Sequence, residues 1–519
     1  MFLTGTTCCT TKVLTLFLTP NPAMSDSEPE PSEPFFPPSD EYDEYVSSSE
    51  DEWSHAYDEE DLSETREHGD MGTTMDATAF EDPDAAVQAF MRLARRATGR
   101  TRDSSVSPEE RTPSPAERGH GPDIHTLLAE RERGGGPRSP LEAINRRLAS
   151  LFIPERPTLA ASHHDRGYVG MFSERGDVYC TAWQGSRVLA LYEPVLTGTQ
   201  EHMRLAKTIH CRTIQWTVCD MAITSDSRFI AYSTIAPVIH LASVGDLPSG
   251  APTTSVANVT DLHETFDLRN AVEYGEYGEG VWAVRWSAQD DMILAGTSKG
   301  CYLYDVRSNK VARRFMRHHQ DDVNAVCYGD ESGNVFYSGS DDSIILAYDA
   351  RAKKAVVGGF VGHMSGLTYL DMAGGRWLLS NSKDQSAKLW DVRASMVSFA
   401  EAKKDRSEVR RFGYDYRWQA PARRLPRHPK DNSVTTYRGH AVLQTLIRAK
   451  FSPGYTNHAY VYSGSACGRV HIWDRYEGGL PIRVLDGGHD DVVRDVDWSP
   501  RTSVIASVGF EGNVVTWGC

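Results

Sequence analysis

Gly362–Arg393 reads GHMSGLTYLDMAGGRWLLSNSKDQSAKLWDVR. It opens on Gly-His and closes near Trp-Asp. Between them lie three short runs, Leu367–Met372, Arg376–Ser380 and Ser386–Trp390. Gly, Asp or Asn bounds each run, the pattern of strand, turn, strand, turn, strand. A meander of this size cannot bury its own two faces. One copy therefore requires more copies stacked beside it.

The copies are present. Gly278–Arg307, His318–Arg351, Arg438–Arg475 and Gly488–Gly518 follow the same plan, and Gly167–Glu193 and Ile214–Val244 are weaker versions. The anchor aromatics Tyr304, Tyr348, Trp390, Trp473 and Trp517 stand 44, 42, 83 and 44 residues apart. The 83 is one ordinary repeat plus an insertion. This period resembles that of WD-repeat β-propellers, and seven copies imply seven blades. The expected fold is all-β: a seven-bladed WD-repeat propeller over 160–519, with insertions near 243–277 and 394–437. Residues 1–83 read as a disordered acidic tail, and 84–159 as a linker with short amphipathic helices. The last copy ends after its third strand, so residues near 155–165 are expected to supply the closing strand.

The WD-repeat pattern implies one hydrogen-bonded chain through His363, Ser380, Asp384 and Trp390. Buried polar groups need partners, and such a chain supplies them. His319, Ser338 and Asp342 repeat three of its members, with Tyr348 in place of Trp. His489, Ser507, Glu511 and Trp517 repeat all four, with Glu for Asp. The composition invites a Ser/His/Asp catalytic reading. Recurrence copy by copy suits a structural role and not one active site. No catalytic residue, cofactor or metal is expected.

Net charge is −16, but Asp26–Glu64 takes sixteen of the 71 acidic residues and contains no Lys or Arg. The remaining 55 acids match the 55 bases. Bulk charge thus gives no support to nucleic-acid binding. The nine cysteines form no C-x-x-C pair, which speaks against zinc and fits reduced thiols. No apolar run reaches membrane-spanning length. The short run Val13–Leu18 is a weak signal-peptide core, and Met24 opens a more ordinary cytosolic N-terminus.

The acidic tail is too poor in aliphatics to fold. Ser47, Ser48 and Ser49 each have an acid three positions on and are candidate phosphorylation sites for an acidophilic kinase. Asp84–Arg96, Asp123–Arg133 and Pro140–Phe152 carry helical patterns, the last behind a Ser139/Glu142 capping box. Their apolar faces need either the propeller's surface or a partner's groove. The insertion 394–437 is rich in Arg and aromatics, including Tyr416, Arg417 and Trp418. It reads as a protein contact in preference to a nucleic-acid one, because the rest of the chain is not basic.

Three successive copies end in aromatic, Asp, any residue, Arg: Tyr304–Arg307, Tyr348–Arg351 and Trp390–Arg393. A propeller does not need that Arg, and the first, second and seventh copies lack it. In the sixth copy Arg475 directly follows Asp474, one place early. This ending resembles the box of WD-repeat substrate receptors of the cullin-4 RING ubiquitin ligase. The blocks LLAERERG (127–134), DDVNAV (321–326), SNSKDQSAKLWDVR (380–393), YDYRW (414–418) and TYRGHAVLQTLIR (436–448) resemble that family too.

The resemblance implies a non-enzymatic receptor. Arg351 and Arg393 first, and Arg307 second, with Asp349 and Asp391, would dock the damaged-DNA-binding-protein adaptor. Cullin-4 and the RING subunit would follow indirectly, and an unknown protein substrate would sit on the opposite face or at the channel mouth. Nuclear and cytoplasmic placement is expected, with no membrane and no nucleic acid. The rival classes are a general WD-repeat scaffold and a histone- or nucleic-acid-associated propeller.

Overall fold

The computed structural model describes residues 153–518, apart from 198–199, 213, 215, 245–262, 269–279, 299, 410–414 and 420–426. The acidic tail, Ser47, Ser48, Ser49 and the three N-terminal helical patterns lie outside the described residues.

Among the described residues, twenty-eight strands form seven four-stranded sheets, all antiparallel. We letter the strands a to d from the channel outward. Blade 1 comprises Gly167–Phe172, Tyr179–Trp183, Val188–Thr197 and Gln200–His210. Blade 2 comprises Asp220–Ile223, Phe229–Thr234, Ala236–Ser243 and His263–Asp267. Blade 3 has Val281–Trp286, Met292–Thr297, Gly300–Asp305 and Lys310–Met316, and blade 4 has Val323–Tyr328, Val335–Ser340, Ile345–Asp349 and Val356–Phe360. Blade 5 has Leu367–Ala373, Trp377–Ser382, Ser386–Asp391 and Thr435–Tyr437. Blade 6 has Ala449–Phe451, Tyr460–Ser463, Val470–Asp474 and Arg483–Leu485. Blade 7 takes Val493–Trp498, Ile505–Gly509 and Asn513–Gly518 from the end of the ring, and its strand d is Arg156–Ser162.

That last pairing closes the circle. Arg156 faces Gly518 and Ser162 faces Asn513 in antiparallel register. The backbone edge of Asn513–Gly518 is thereby paired. The a strands of blades 2 to 6 pack neighbour on neighbour around the axis, as do those of blades 7 and 1.

The core lies between blades. Every residue of Ser386–Asp391 is buried, because a middle strand is covered on both faces. Trp390, Trp473 and Trp517 are fully buried at matching positions. In blades 5 and 7 the Gly before the histidine makes room for the indole. A Cβ on Gly488 would stand 2.6 Å from the Trp517 ring, and one on Gly362 would stand 2.9 Å from Trp390.

Both stretches read as insertions give strands back to the ring. His263–Asp267 is strand d of blade 2, and Thr435–Tyr437 is strand d of blade 5. The second stretch also holds an unexpected helix, α1, Phe399–Val409. Ser398 and Glu401 cap it reciprocally: Ser398 N donates to Glu401 Oε2 at 3.0 Å, and Glu401 N donates to Ser398 Oγ at 3.3 Å. Ala402 is buried where α1 meets strand d of blade 4.

Candidate functional site

Antiparallel order gives the ring two ends. The a–b and c–d connections lie at one end, and the b–c and d–a connections lie at the other. The polar chains sit under the second end. His363 Nδ1 bonds Asp384 at 2.9 Å, its Nε2 bonds Ser380 Oγ at 2.6 Å, and Trp390 Nε1 donates to the same Oγ at 2.8 Å. Burial alone would push the Asp384 carboxyl up. The His363 charge and bonds from His363, Ser386 and the Met364 amide outweigh that and hold it well below the usual range. His319 repeats the arrangement with Asp342 at 3.0 Å and Ser338 at 2.6 Å. His489 bonds Glu511 and Ser507, and Trp517 Nε1 donates to Ser507 at 2.8 Å.

In blade 6 the chain is rewired. Cys467 stands where Asp384 stands in blade 5, so His440 turns to Asn381 Oδ1 of the neighbouring blade at 2.8 Å. Trp473 Nε1 donates to Arg438 O at 3.0 Å. Burial lowers His440 to about 4 and His471 to about 3. Neither ring nitrogen of His471 has a hydrogen-bond partner among the described residues.

The aromatic-Asp-x-Arg endings form the c–d turns of blades 3, 4 and 5, at the first end. In each, the Asp accepts the amide of the Arg two residues on: Asp305 from Arg307 at 2.9 Å, Asp349 from Arg351 at 2.9 Å, and Asp391 from Arg393 at 3.0 Å. All three arginines are exposed. Their side chains differ. Arg351 folds back on Asp349, Nε to Oδ1 at 3.0 Å and Nη2 to Oδ2 at 2.9 Å, which lowers the Asp349 carboxyl to about 2. Arg307 reaches toward Asp291 of the a–b turn at 4.0 Å. Arg393 makes no side-chain hydrogen bond among the described residues. Its Asp391 is buried and taken instead by Arg376 of the a–b turn, at 3.0 and 2.7 Å. Asp391 is thus held within the turn by Arg376 and by the Arg393 amide.

Within the channel, charged residues in and next to the a strands tie blades together. Arg448 donates to Asp220 at 2.8 Å and to Asp495 at 3.0 Å. Arg285 also holds Asp220, and donates to Tyr369 Oη at 2.8 Å. Lys450 lies 3.2 Å from Asp495 and 3.1 Å from Asp497. Blades 2, 3, 5, 6 and 7 meet at this hub. Desolvation pushes Asp220 up, but Arg285 and Arg448 prevail and lower it. None of these residues belongs to the repeat pattern. Their only local signal was charge inside otherwise apolar strands, as in VWAVRW and VRDVDW.

At the second end the channel opens into a cavity of about 730 Å³. Trp216, Trp282 and Tyr168 line it, with Asp321, Asp322 and Asp341. The Asp415–Gln419 stretch of the blade 5 insertion comes back over this mouth. Tyr416 O accepts the Gln444 amide at 3.1 Å, and Lys383 Nζ lies 4.4 Å from the Tyr416 ring centre. Oxygens of Asp321, Asp322 and Asp341 approach within 4.8 Å of one another, the grouping a cation could use. Lys383 already pairs with Asp341 at 2.8 Å. Burial, then Asp341 and Asp321, raise Asp322 to about 6.

Known proteins agree with this architecture. The WD domain, G-beta repeat model matches residues 310–349 and 479–518. LEC14B protein of Lithospermum erythrorhizon is 35% identical over 370 residues, covering 70% of this chain and 74% of that protein. The LEC14B homolog of Prunus armeniaca is 34% identical, over 67% and 71%. A Caenorhabditis elegans protein described as DDB1- and CUL4-associated factor 11 homolog is 37% identical over 310 residues, 58% of this chain and 52% of that protein. On seven closed blades and these matches, the chain belongs to the WD-repeat protein family that includes the LEC14B proteins.

Proposed function

We propose that this propeller is the substrate-recognition subunit of a cullin-4 RING ubiquitin ligase and performs no catalysis itself. The carrying observation is the row of exposed arginines on one face. Arg307, Arg351 and Arg393 stand at one turn position in three consecutive blades. Guanidinium groups suit carboxylates and carbonyls on a partner surface. The Caenorhabditis relatives, named as associated with the adaptor and cullin, support the choice of partner. The adaptor docks on the c–d turns, cullin-4 and the RING subunit follow through it, and a protein substrate is held at the opposite mouth. The complex works in nucleus and cytoplasm.

The test is Arg351→Ala combined with Arg393→Ala, read by adaptor co-purification and by thermal melting. Interface arginines are frequent hot spots, so the pair should weaken adaptor binding by roughly a hundredfold or more. The melting transition should stay in place. Full adaptor recovery with the double variant defeats this reading of the arginine row.

A further inference from the structure

Blade 6 carries Asp474-Arg475-Tyr476 at the turn where blades 3 to 5 carry Asp-x-Arg. Read by residue type, its Arg is one place early. Read by backbone, the turn is the same. Asp474 Oδ1 accepts the Tyr476 amide at 2.8 Å, as Asp349 accepts Arg351 at 2.9 Å and Asp391 accepts Arg393 at 3.0 Å. Tyr476 therefore occupies the arginine position, and Arg475 occupies the position of Val306, Ala350 and Val392. Those three side chains are half-buried against the blades. Arg475 turns inward likewise and is buried.

The inward arginine holds the ring in place. Its guanidinium lies 4.5 Å from the Tyr476 ring centre and 5.7 Å from that of Trp377, and it also donates to the Tyr476 hydroxyl. Arg376, the residue that grips Asp391, also lies against Trp377, at 4.8 Å from its ring centre. Pairwise contacts thus link the blade 5 turn, through Trp377 and Arg475, to Tyr476. Tyr476 as a residue remains 39% exposed. Tyr455, 50% exposed, stands on the a–b connection of the same blade and so at the same end of the ring.

We propose that Tyr476 is the fourth member of the docking row. It offers the adaptor a pre-positioned aromatic contact beside the arginines of blades 3 to 5. This rests on the docking reading above. The partner chemistry it fits is a surface with carboxylates or carbonyls facing the arginines and an apolar recess facing blade 6. A tyrosine already held in place loses little freedom on binding, which is why such residues carry interface energy.

The experiment measures affinity of purified full-length variants for the purified adaptor, with a melting curve for each. Tyr476→Ala should weaken binding about fivefold or more at unchanged melting temperature, and Tyr476→Phe should bind as wild type, because the ring makes the contact. Hydrogen exchange of the wild-type protein should show the 474–478 amides protected by the adaptor. Unchanged affinity in Tyr476→Ala, with binding lost in the Arg351/Arg393 double variant, overturns this inference alone. Unchanged affinity in both overturns the docking reading and this inference with it. If Tyr476→Ala alters folding, exchange decides: no added protection at 474–478 in a complex that forms overturns the proposal.

Discussion

Arg376 holds the Asp391 carboxylate through Nε and Nη2, at 3.0 and 2.7 Å, and the Arg393 side chain does not. The motif arginine of blade 5 is thereby left with its guanidinium available, whereas that of blade 4 is already paired with Asp349. A partner must share or displace the Asp349 contact to use Arg351, but meets Arg393 without competition. Arg393→Ala is therefore expected to weaken adaptor binding more than Arg351→Ala does, by about tenfold or more for Arg393 if it is a hot spot. Titration of each single variant against adaptor checks the order. A larger loss from Arg351→Ala refutes it.

Asp384→Ala leaves the buried His363 ring without its acceptor, and should cost about 1–3 kcal/mol of stability. The charge form matters as well. The folded carboxyl is depressed below its unfolded value of about 3.9, so its contribution is fully present above that pH. It is lost as the medium is acidified below pH ~4 toward the folded value. Melting temperatures between pH 3 and 5 should fall more steeply for wild type than for Asp384→Asn.

The His pair of blade 6 acts at milder acidity. His440 and His471 are lowered to about 4 and about 3, against an unfolded value near 6.5. The unfolded chain therefore binds protons first. Stability is retained above pH ~6.5 and drains as pH falls from there toward 4, by up to about 1.4 kcal/mol per pH unit for each ring. His471→Leu should flatten this slope, and it also removes two nitrogens that lack a hydrogen-bond partner among the described residues. An unchanged slope between pH 6.5 and 5 counts against the assignment.

Arg448→Ala should be the most damaging of these changes. It removes the cation between Asp220 and Asp495 and leaves two buried carboxylates short of charge. Breaking such a buried pair costs about 3–5 kcal/mol. Chemical denaturation is the measurement. A loss under 1 kcal/mol would mean that the hub does not join the blades energetically.

The ring was legible because its blades repeat a pattern about every forty residues, fullest in blades 5 and 7: Gly-His, small residues, an acid, then a buried aromatic. The hub was not, because its partners are 228 residues apart in sequence and meet only when the ring closes. Helix α1 was missed for a different reason. FAEAKKDRSEV has too little apolar surface to show a face, and its one clear sign, Ser398 with Glu401, was passed over. Tyr476 was hidden because residue identity was compared where the Asp-to-amide spacing decides. The insertion's basic and aromatic content was legible, but not that Tyr416 comes to rest at the channel mouth, since loop length says little about where a loop returns.

Closure by the strand Arg156–Ser162 also has a temporal side. Thr516 Oγ1 donates to the carbonyl of Thr158 across 358 residues of chain. At a synthesis rate of about 5–20 residues per second, Arg156–Ser162 waits about 20–70 s for its partner to leave the ribosome. Until then blade 7 does not exist and blade 1 has no neighbour on that side. Nascent chains of this protein therefore carry that strand edge unpaired for the whole interval. A stalled ribosome near the last blade would hold a ring six-sevenths built and unable to lock.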